Sequence, residues 1–330
     1  VRIGLLTGGG DCPGLNAAIR AVVRAATAAG DEVVGFHHGW RGVVDGDGAP
    51  LTTAETRGIL QSGGTILRTA RYHPHAHEGG VAAVRATVSR EHLDAVIVVG
   101  GDGTLGAASR LADAGVPIVG IPKTIDNDVA GTARSIGFDT AMATAADAID
   151  RVHTTGESHD RVMVIEVMGR KAGWLAVCAG LAAGGDAICT PERPTDLGEL
   201  AGAIRGRHDA GSSSSVVVVA EGARFRGAVP RDGSTGDVVA GALRERTGFE
   251  TRLTVLGHVQ RGGAPSATDR LLATRFGVAA LDAAHGRRFG SMVRLAGDAV
   301  GLTTLGRVAT GPRPVPAPLL DLAARLTAQP

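Results

Sequence analysis

Leu93-Asp94-Ala95-Val96-Ile97-Val98-Val99-Gly100-Gly101-Asp102-Gly103-Thr104 is an apolar run that breaks into a glycine turn carrying one carboxylate. The run Leu93–Val99 is β-branched, bounded and too short for a membrane span, which makes it a buried parallel strand. Leu105, Ala108, Leu111 and Ala112 follow at helical spacing, so the turn joins the carboxyl end of a strand to the amino end of a helix. Backbone N–H groups and the helix dipole favour a phosphate there. Asp102 would repel that phosphate unless a divalent cation lay between them. The turn therefore implies a metal-bound nucleotide or polyphosphate.

A second acid-bearing loop, Pro122-Lys123-Thr124-Ile125-Asp126-Asn127-Asp128, follows the next strand-like run, Val116–Ile121. Two such loops on neighbouring strand ends suggest phosphoryl transfer. Asp126 suits a hydroxyl proton, and Asp102 suits magnesium with Asp128 helping through water, because Mg²⁺ takes few carboxylates and keeps several waters. The plainer alternative for Thr124–Asp128 is an Asx-turn with helix capping. Thr7–Gly14 (TGGGDCPG) is another phosphate-cradle candidate, without the Lys-Ser/Thr of a Walker loop. Gly101-x-Gly103-x-x-Gly106 also matches the dinucleotide fingerprint, so an NAD-dependent dehydrogenase is an alternative. Its mechanism has no metal to separate Asp102 from a pyrophosphate.

Arginine is the expected partner for transferred charge and for a substrate's own phosphate. Arg71, Arg161, Arg170, Arg252 and Arg261 stand in motif-like contexts, and His258 and Arg261 are spaced to share one phosphate. His73, His75 and His77 alternate on a loop with Pro74, a pattern that reads as exposed rather than as a metal tract. Lys123 and Lys171 are the only lysines, each beside a candidate motif.

A formal net charge of +1 gives no reason to expect nucleic acid or an anionic membrane, and 44% hydrophobic residues fit a folded chain. No run approaches the roughly 20 apolar residues of a spanning helix. The expected location is cytoplasmic. Cys12, Cys178 and Cys189 make neither a disulfide framework nor a metal spacing.

Strand-like and helix-like segments alternate almost throughout, which predicts an α/β fold with mostly parallel strands. Gly8–Ala18 and Gly169–Ala179 are distantly alike, each strand, glycine turn and helix. Two similar Rossmann-like α/β layers would explain this, the chain crossing near residue 138 and again near 251, with the active site in the cleft between them. A helix is expected over Thr53–Gln61, a loop over Gly227–Gly236, and a wrapping carboxyl-terminal segment with one short helix.

In this order the motifs resemble the bacterial-type 6-phosphofructokinase family over nearly the whole chain. The resemblance rests on Gly8–Asn16, Gly100–Thr104, Lys123–Asp128, Met168-Gly169-Arg170 and Gly257–Gly263 (GHVQRGG). It implies phosphorylation of fructose 6-phosphate at the 1-hydroxyl with Mg-ATP, and a homotetramer or homodimer with substrate sites at a subunit interface. It implies Asp126 as base and Asp102 as magnesium ligand, with Gly10, Arg71, Tyr72, Gly101, Gly103 and Thr104 at the donor. Thr124, Ile125, Met168, Gly169, Arg170 and Glu221 would meet the sugar near its reacting end, Arg170 also stabilising the moving phosphoryl group. Arg161, Arg252, His258 and Arg261 would clamp the 6-phosphate, and Val259 and Gln260 would also bind the substrate. The larger, donor-binding domain would be 1–138 with about 252–305, and the fructose 6-phosphate domain 139–251 with about 306–330.

Donor choice turns on two residues. In the family, Gly at the place of Gly103 goes with ATP, whereas Lys at the place of Lys123 goes with pyrophosphate. Sterics favour ATP: Gly103 leaves room for its α-phosphate, and a flexible Lys123 would swing aside. Pyrophosphate is the alternative donor.

Overall fold

The computed structural model describes residues 1–227 and 233–327. The elements begin with β1 (Arg2–Gly8), α1 (Leu15–Ala28), β2 (Glu32–Phe36), α2 (Trp40–Asp45), β3 (Gly48–Pro50) and α3 (Gly80–Arg90). They continue with β4 (Ala95–Gly100), α4 (Asp102–Asp113), β5 (Ile118–Pro122), α5 (Phe138–Ser158), β6 (Val162–Val167), α6 (Trp174–Ala182) and β7 (Ala187–Cys189). The remainder are α7 (Leu197–Asp209), β8 (Ser215–Ala220), α8 (Thr235–Thr247), β9 (Thr251–Val255), α9 (Ala267–His285), β10 (Ser291–Ala296), β11 (Ala299–Thr304) and α10 (Ala317–Leu326).

The chain divides into two compact units, Val1–Thr140 with Arg261–Arg313, and Ala141–Gln260 with Pro314–Pro330. Among the described residues the first unit carries a seven-stranded sheet, β11-β10-β5-β4-β1-β2-β3. Its centre is parallel, as the apolar runs predict, and Val96–Val99 of β4 are wholly buried. Each such aliphatic side chain contributes about 1.5–3 kcal/mol of transfer free energy. Phe36, Trp40, Leu105, Leu111, Ile118 and Met292 pack together in this unit's core. The second unit carries a parallel four-stranded sheet, β7-β8-β6-β9, with Val164, Ile165 and Val217–Val219 at its centre.

Several expectations are corrected. The larger domain was to resume near 252, but β9 pairs with β6 through Val162↔Thr251 and Met163↔Arg252, so the second unit runs on to Gln260. Residues 306–313 stay with the first unit. Ser291–Thr304, expected only as part of the larger, donor-binding domain with no elements assigned, lies in the first unit as a β-hairpin whose turn is Gly297-Asp298. The helix over Thr53–Gln61 is a series of turns ending in one 3₁₀ turn, Ile59–Gln61. Gly58 sits at φ +74° and breaks it. Half of the loop expected over Gly227–Gly236 lies outside the described residues, and α8 has already begun by Thr235.

Candidate active site

In the first unit the sheet register aligns Gly8 with Gly100, and Gly100 with Pro122. The turns after β1, β4 and β5 therefore leave the sheet side by side at one height. Glycine is needed there for space. A Cβ on Gly8 would lie 2.6 Å from Thr104 Cγ2, and one on Gly100 would lie 2.4 Å from Thr104 Cβ. The absent side chains let the first turn of α4 close onto both strand ends. Thr104 is buried and its carbonyl accepts the Trp40 indole N–H at 3.1 Å. Gly9, at φ +84°, donates to the Ala70 carbonyl at 3.1 Å and accepts the Thr69 hydroxyl at 2.6 Å, which brings the segment before Arg71 and Tyr72 onto the glycine turn.

Lys123 does not swing aside. It is only 3% exposed, and its ammonium donates to the Gly8 carbonyl at 3.0 Å and to the Gly10 carbonyl. Its own N–H donates to the Gly100 carbonyl at 2.9 Å, so Lys123 ties all three turns. Burial lowers its pKa, and burial also pushes the neighbouring Cys12 thiol up to about 12.

Helix α4 opens on Gly101, which supplies no side-chain cap, and Asp102 stands in its first turn, where the helix dipole favours an anion. Asp102 Oδ1 accepts the Gly103 N–H at 2.7 Å. Among the described residues no three His, Cys, Asp or Glu groups cluster as a metal cage, His73, His75 and His77 included. One carboxylate completed by phosphate oxygens and water is the hard-oxygen donor set that Mg²⁺ takes, so the residues fit that ion. The His73 ring lies against the same turn, its Cε1 3.1 Å from where a Cβ on Gly103 would be.

The loop after β5 is held by residues 132–136. Thr124 N–H donates to the Ile136 carbonyl at 3.1 Å, Ser135 Oγ to the Thr124 carbonyl at 2.8 Å, and Ser135 N–H to Asn127 Oδ1 at 3.0 Å. Thr124 Oγ1 accepts the Asp126 N–H at 3.1 Å, a local turn that sets the partly exposed Asp126 at its bend. The turn is made by the Thr124 hydroxyl rather than by an Asx side chain capping a helix, and the carboxylate is presented by it. Ile125 is fully buried and serves the core; Asp128, expected to assist a metal through water, is buried as well. Arg313, which sequence reasoning missed, braces the loop. Its guanidinium donates to the carbonyls of Asn127 and Ala133, both at 2.9 Å, and its N–H to the Asp128 carbonyl at 2.7 Å. Nothing local to Pro312-Arg313-Pro314 signals this.

Arg261, expected at the 6-phosphate, belongs to the first unit. Its Nη1 donates to the Asp11 carbonyl at 3.2 Å and would stand 2.6 Å from a Cβ on Gly10.

In the second unit, Met168, Gly169 and Arg170 follow β6, Glu221 follows β8, and His258–Gln260 follow β9, all at the carboxyl edge of the sheet. Gly169 holds φ +129°, and its carbonyl accepts the Gly222 N–H at 3.2 Å, while Glu221 N–H donates to the Val167 carbonyl at 2.8 Å. Arg170 and Glu221 line one cavity of about 470 Å³ with Arg224, Ser234 and Thr235. Gln260 is fully buried, its amide spent on Met168 N–H at 3.3 Å and the Gly257 carbonyl at 3.1 Å, so its side chain positions the Met168 turn. His258 and Val259 are exposed. Arg161 and Arg252 lie at the opposite, amino-terminal edge, where both guanidiniums bind Glu250 Oε1. The length of β6 separates them from Arg170 by roughly 20 Å.

The sequence matches the family described as Phosphofructokinase over residues 2–284. It is 50% identical over 311 residues to a pyrophosphate–fructose 6-phosphate 1-phosphotransferase of Amycolatopsis methanolica, covering 90% of this chain and 91% of that one. It is 48% identical over 330 residues to ATP-dependent 6-phosphofructokinase 3 of Streptomyces coelicolor, covering 96% and 97%. The structure superposes on a phosphofructokinase from Saccharomyces cerevisiae with a TM-score of 0.85 and 32% identity, covering 98% of this chain and 46% of the yeast chain. These relatives give the dehydrogenase alternative no support. Strand-end turns that bear Asp102 and Asp126, and a family match spanning most of the sequence, lead to one conclusion: the chain belongs to the phosphofructokinase family.

Proposed function

We propose that this protein phosphorylates D-fructose 6-phosphate at its 1-hydroxyl with Mg-ATP, giving fructose 1,6-bisphosphate in glycolysis. The observation that carries the reading is the row of three strand-end turns, with Asp102 in the first turn of α4 and Asp126 in the adjoining loop. The amino end of α4 and the glycine turn hold the donor's phosphates. Asp102 would hold magnesium, which would supply neutralisation of the charge that develops during transfer. Asp126 accepts the proton of the 1-hydroxyl, Thr124 fixes the Asp126 turn, and Arg170 stabilises charge on the transferred group. Gly10, Arg71, Tyr72, Gly101, Gly103 and Thr104 serve the donor; Met168, Gly169, Arg170 and Glu221 serve the sugar.

ATP is the donor in this reading, because Lys123 is folded behind the glycine turn and Gly103 carries no side chain to meet an α-phosphate. Pyrophosphate is the second reading, favoured by the His73 ring that sits against Gly103. The separation of Arg161 and Arg252 from Arg170 is more than one sugar phosphate bridges. It supports a homotetramer, or a homodimer, in which a neighbouring copy supplies the 6-phosphate clamp. Among the described residues no helix is long and apolar enough to cross a membrane, and the glycolytic reading puts the protein in the cytoplasm.

A coupled spectrophotometric assay of fructose 6-phosphate with ATP or with pyrophosphate, each with Mg²⁺, tests the reading. Turnover with ATP is expected. Turnover with pyrophosphate alone overturns the donor, and none with either overturns the function. Asp126→Asn should lower kcat by about 10²–10⁴-fold, the range of a lost general base.

A further inference from the structure

Register brings Arg161 and Glu250 together in the second unit. Val162 pairs with Thr251 across β6 and β9, so the residues just before them are also neighbours, and Val162 N–H donates to the Glu250 carbonyl at 3.0 Å. The period of two along a strand puts Arg252 on the face that Glu250 shares. Glu250 Oε1 accepts from Arg161 Nη2 at 2.9 Å and also from Arg252 Nη2. One carboxylate oxygen thus serves two guanidiniums. The side chains are 48% exposed for Glu250 and 58% for Arg252, so the carboxylate can rotate into water when something replaces it.

We infer that Glu250 is the resident anion of the Arg161–Arg252 pair, a carboxylate that an incoming sugar phosphate displaces, and that it lowers the affinity for the phosphate ester. The inference rests on the reading of Arg161 and Arg252 as the 6-phosphate clamp. Two guanidiniums carry two positive charges and Glu250 returns one. A ligand bringing a single negative charge merely exchanges with Glu250 and gains little. A phosphate monoester near neutral pH carries nearly two charges and three acceptor oxygens, enough to engage both guanidinium forks. Glu250 therefore weakens the binding of any anion that must displace it, the phosphate ester included.

Glu250→Gln keeps the size of the side chain and removes the charge. Calorimetric titration with fructose 6-phosphate, and steady-state kinetics, should show the dissociation constant and KM falling about three- to tenfold, the worth of one or two exposed ion pairs. Gluconate should inhibit the variant more strongly than the parent. An unchanged or raised KM in Glu250→Gln, with KM raised in Arg161→Ala and Arg252→Ala, overturns the role of Glu250 and keeps the clamp. Unchanged KM in both arginine variants overturns the clamp, and this inference falls with it. If Glu250→Gln does not fold, Glu250→Asp reads the same effect: the shorter acid reaches one guanidinium less well, so a lower KM supports displacement and an unchanged one overturns it.

Discussion

The ammonium of Lys123 donates to the carbonyl oxygen of Gly8 at 3.0 Å, joining the turn after β5 to the end of β1 across 115 positions of sequence. Lys123→Met should leave the Gly8 and Gly10 carbonyls without their donor. The loss of buried partners costs about 1–3 kcal/mol, partly offset because the ammonium no longer has to be desolvated. Urea unfolding should show a lower midpoint, and the KM for the donor should rise. The pH dependence has a definite sign. Burial lowers the Lys123 pKa, so unfolding takes up a proton between the folded value and 10.5, and stability from this group rises with pH across that window. The methionine variant should lose that rise.

Gly8→Ala should fold poorly because its methyl meets Thr104 Cγ2 at 2.6 Å. Overpacking of this kind costs about 1–3 kcal/mol. Thr104→Ala removes the colliding atoms, so Gly8→Ala should cost clearly less in that background. Thermal unfolding of the four proteins in the cycle checks it, and equal costs in both backgrounds would deny the contact.

Arg313→Ala should act on catalysis through the Asp126 loop. It removes the donors to the Asn127 and Ala133 carbonyls, and Asn127 is a non-glycine residue at φ +52° that needs its surroundings to hold it. A kcat decrease of about ten- to a hundredfold, with a smaller change in KM, fits a misplaced base. Arg313→Lys should recover part of it. Single-turnover kinetics would separate this from general destabilisation.

Burial pushes the thiols of Cys12 and Cys189 up, to about 12 and about 11. Neither has appreciable thiolate at pH 8, and both are shielded from reagent. Mass spectrometry after brief treatment with iodoacetamide at pH 8 should find label on Cys178 at most, and on all three cysteines after denaturation. Early native labelling of Cys12 would contradict its burial under the glycine turn.

The strand, turn and helix through Leu93–Asp113 were legible because a bounded β-branched run and a helical period are local signals. So was the placement of Asp102 and Asp126 in turns that follow buried strands, where the structure has them. The hairpin Ser291–Thr304 was also written locally, in the Gly297-Asp298 pair between alternating residues, and could have been found there. Thr53–Gln61 misled because helical composition did not come with an apolar face, and Gly58 ended it.

Sequence alone determined that the chain is an α/β protein with glycine-rich, acid-bearing turns at strand ends, because periodicity, glycine and charge act over a few residues. Tertiary structure decided that Lys123 is a tie rather than a movable arm, that Arg313 braces the Asp126 loop, and that β9 belongs to the second sheet. It also decided that Arg161 and Arg252 lie at the far edge from Arg170 and share Glu250. Each of these depends on which strands pair and in what register, and pairing joins residues too far apart in the chain for any local pattern to record.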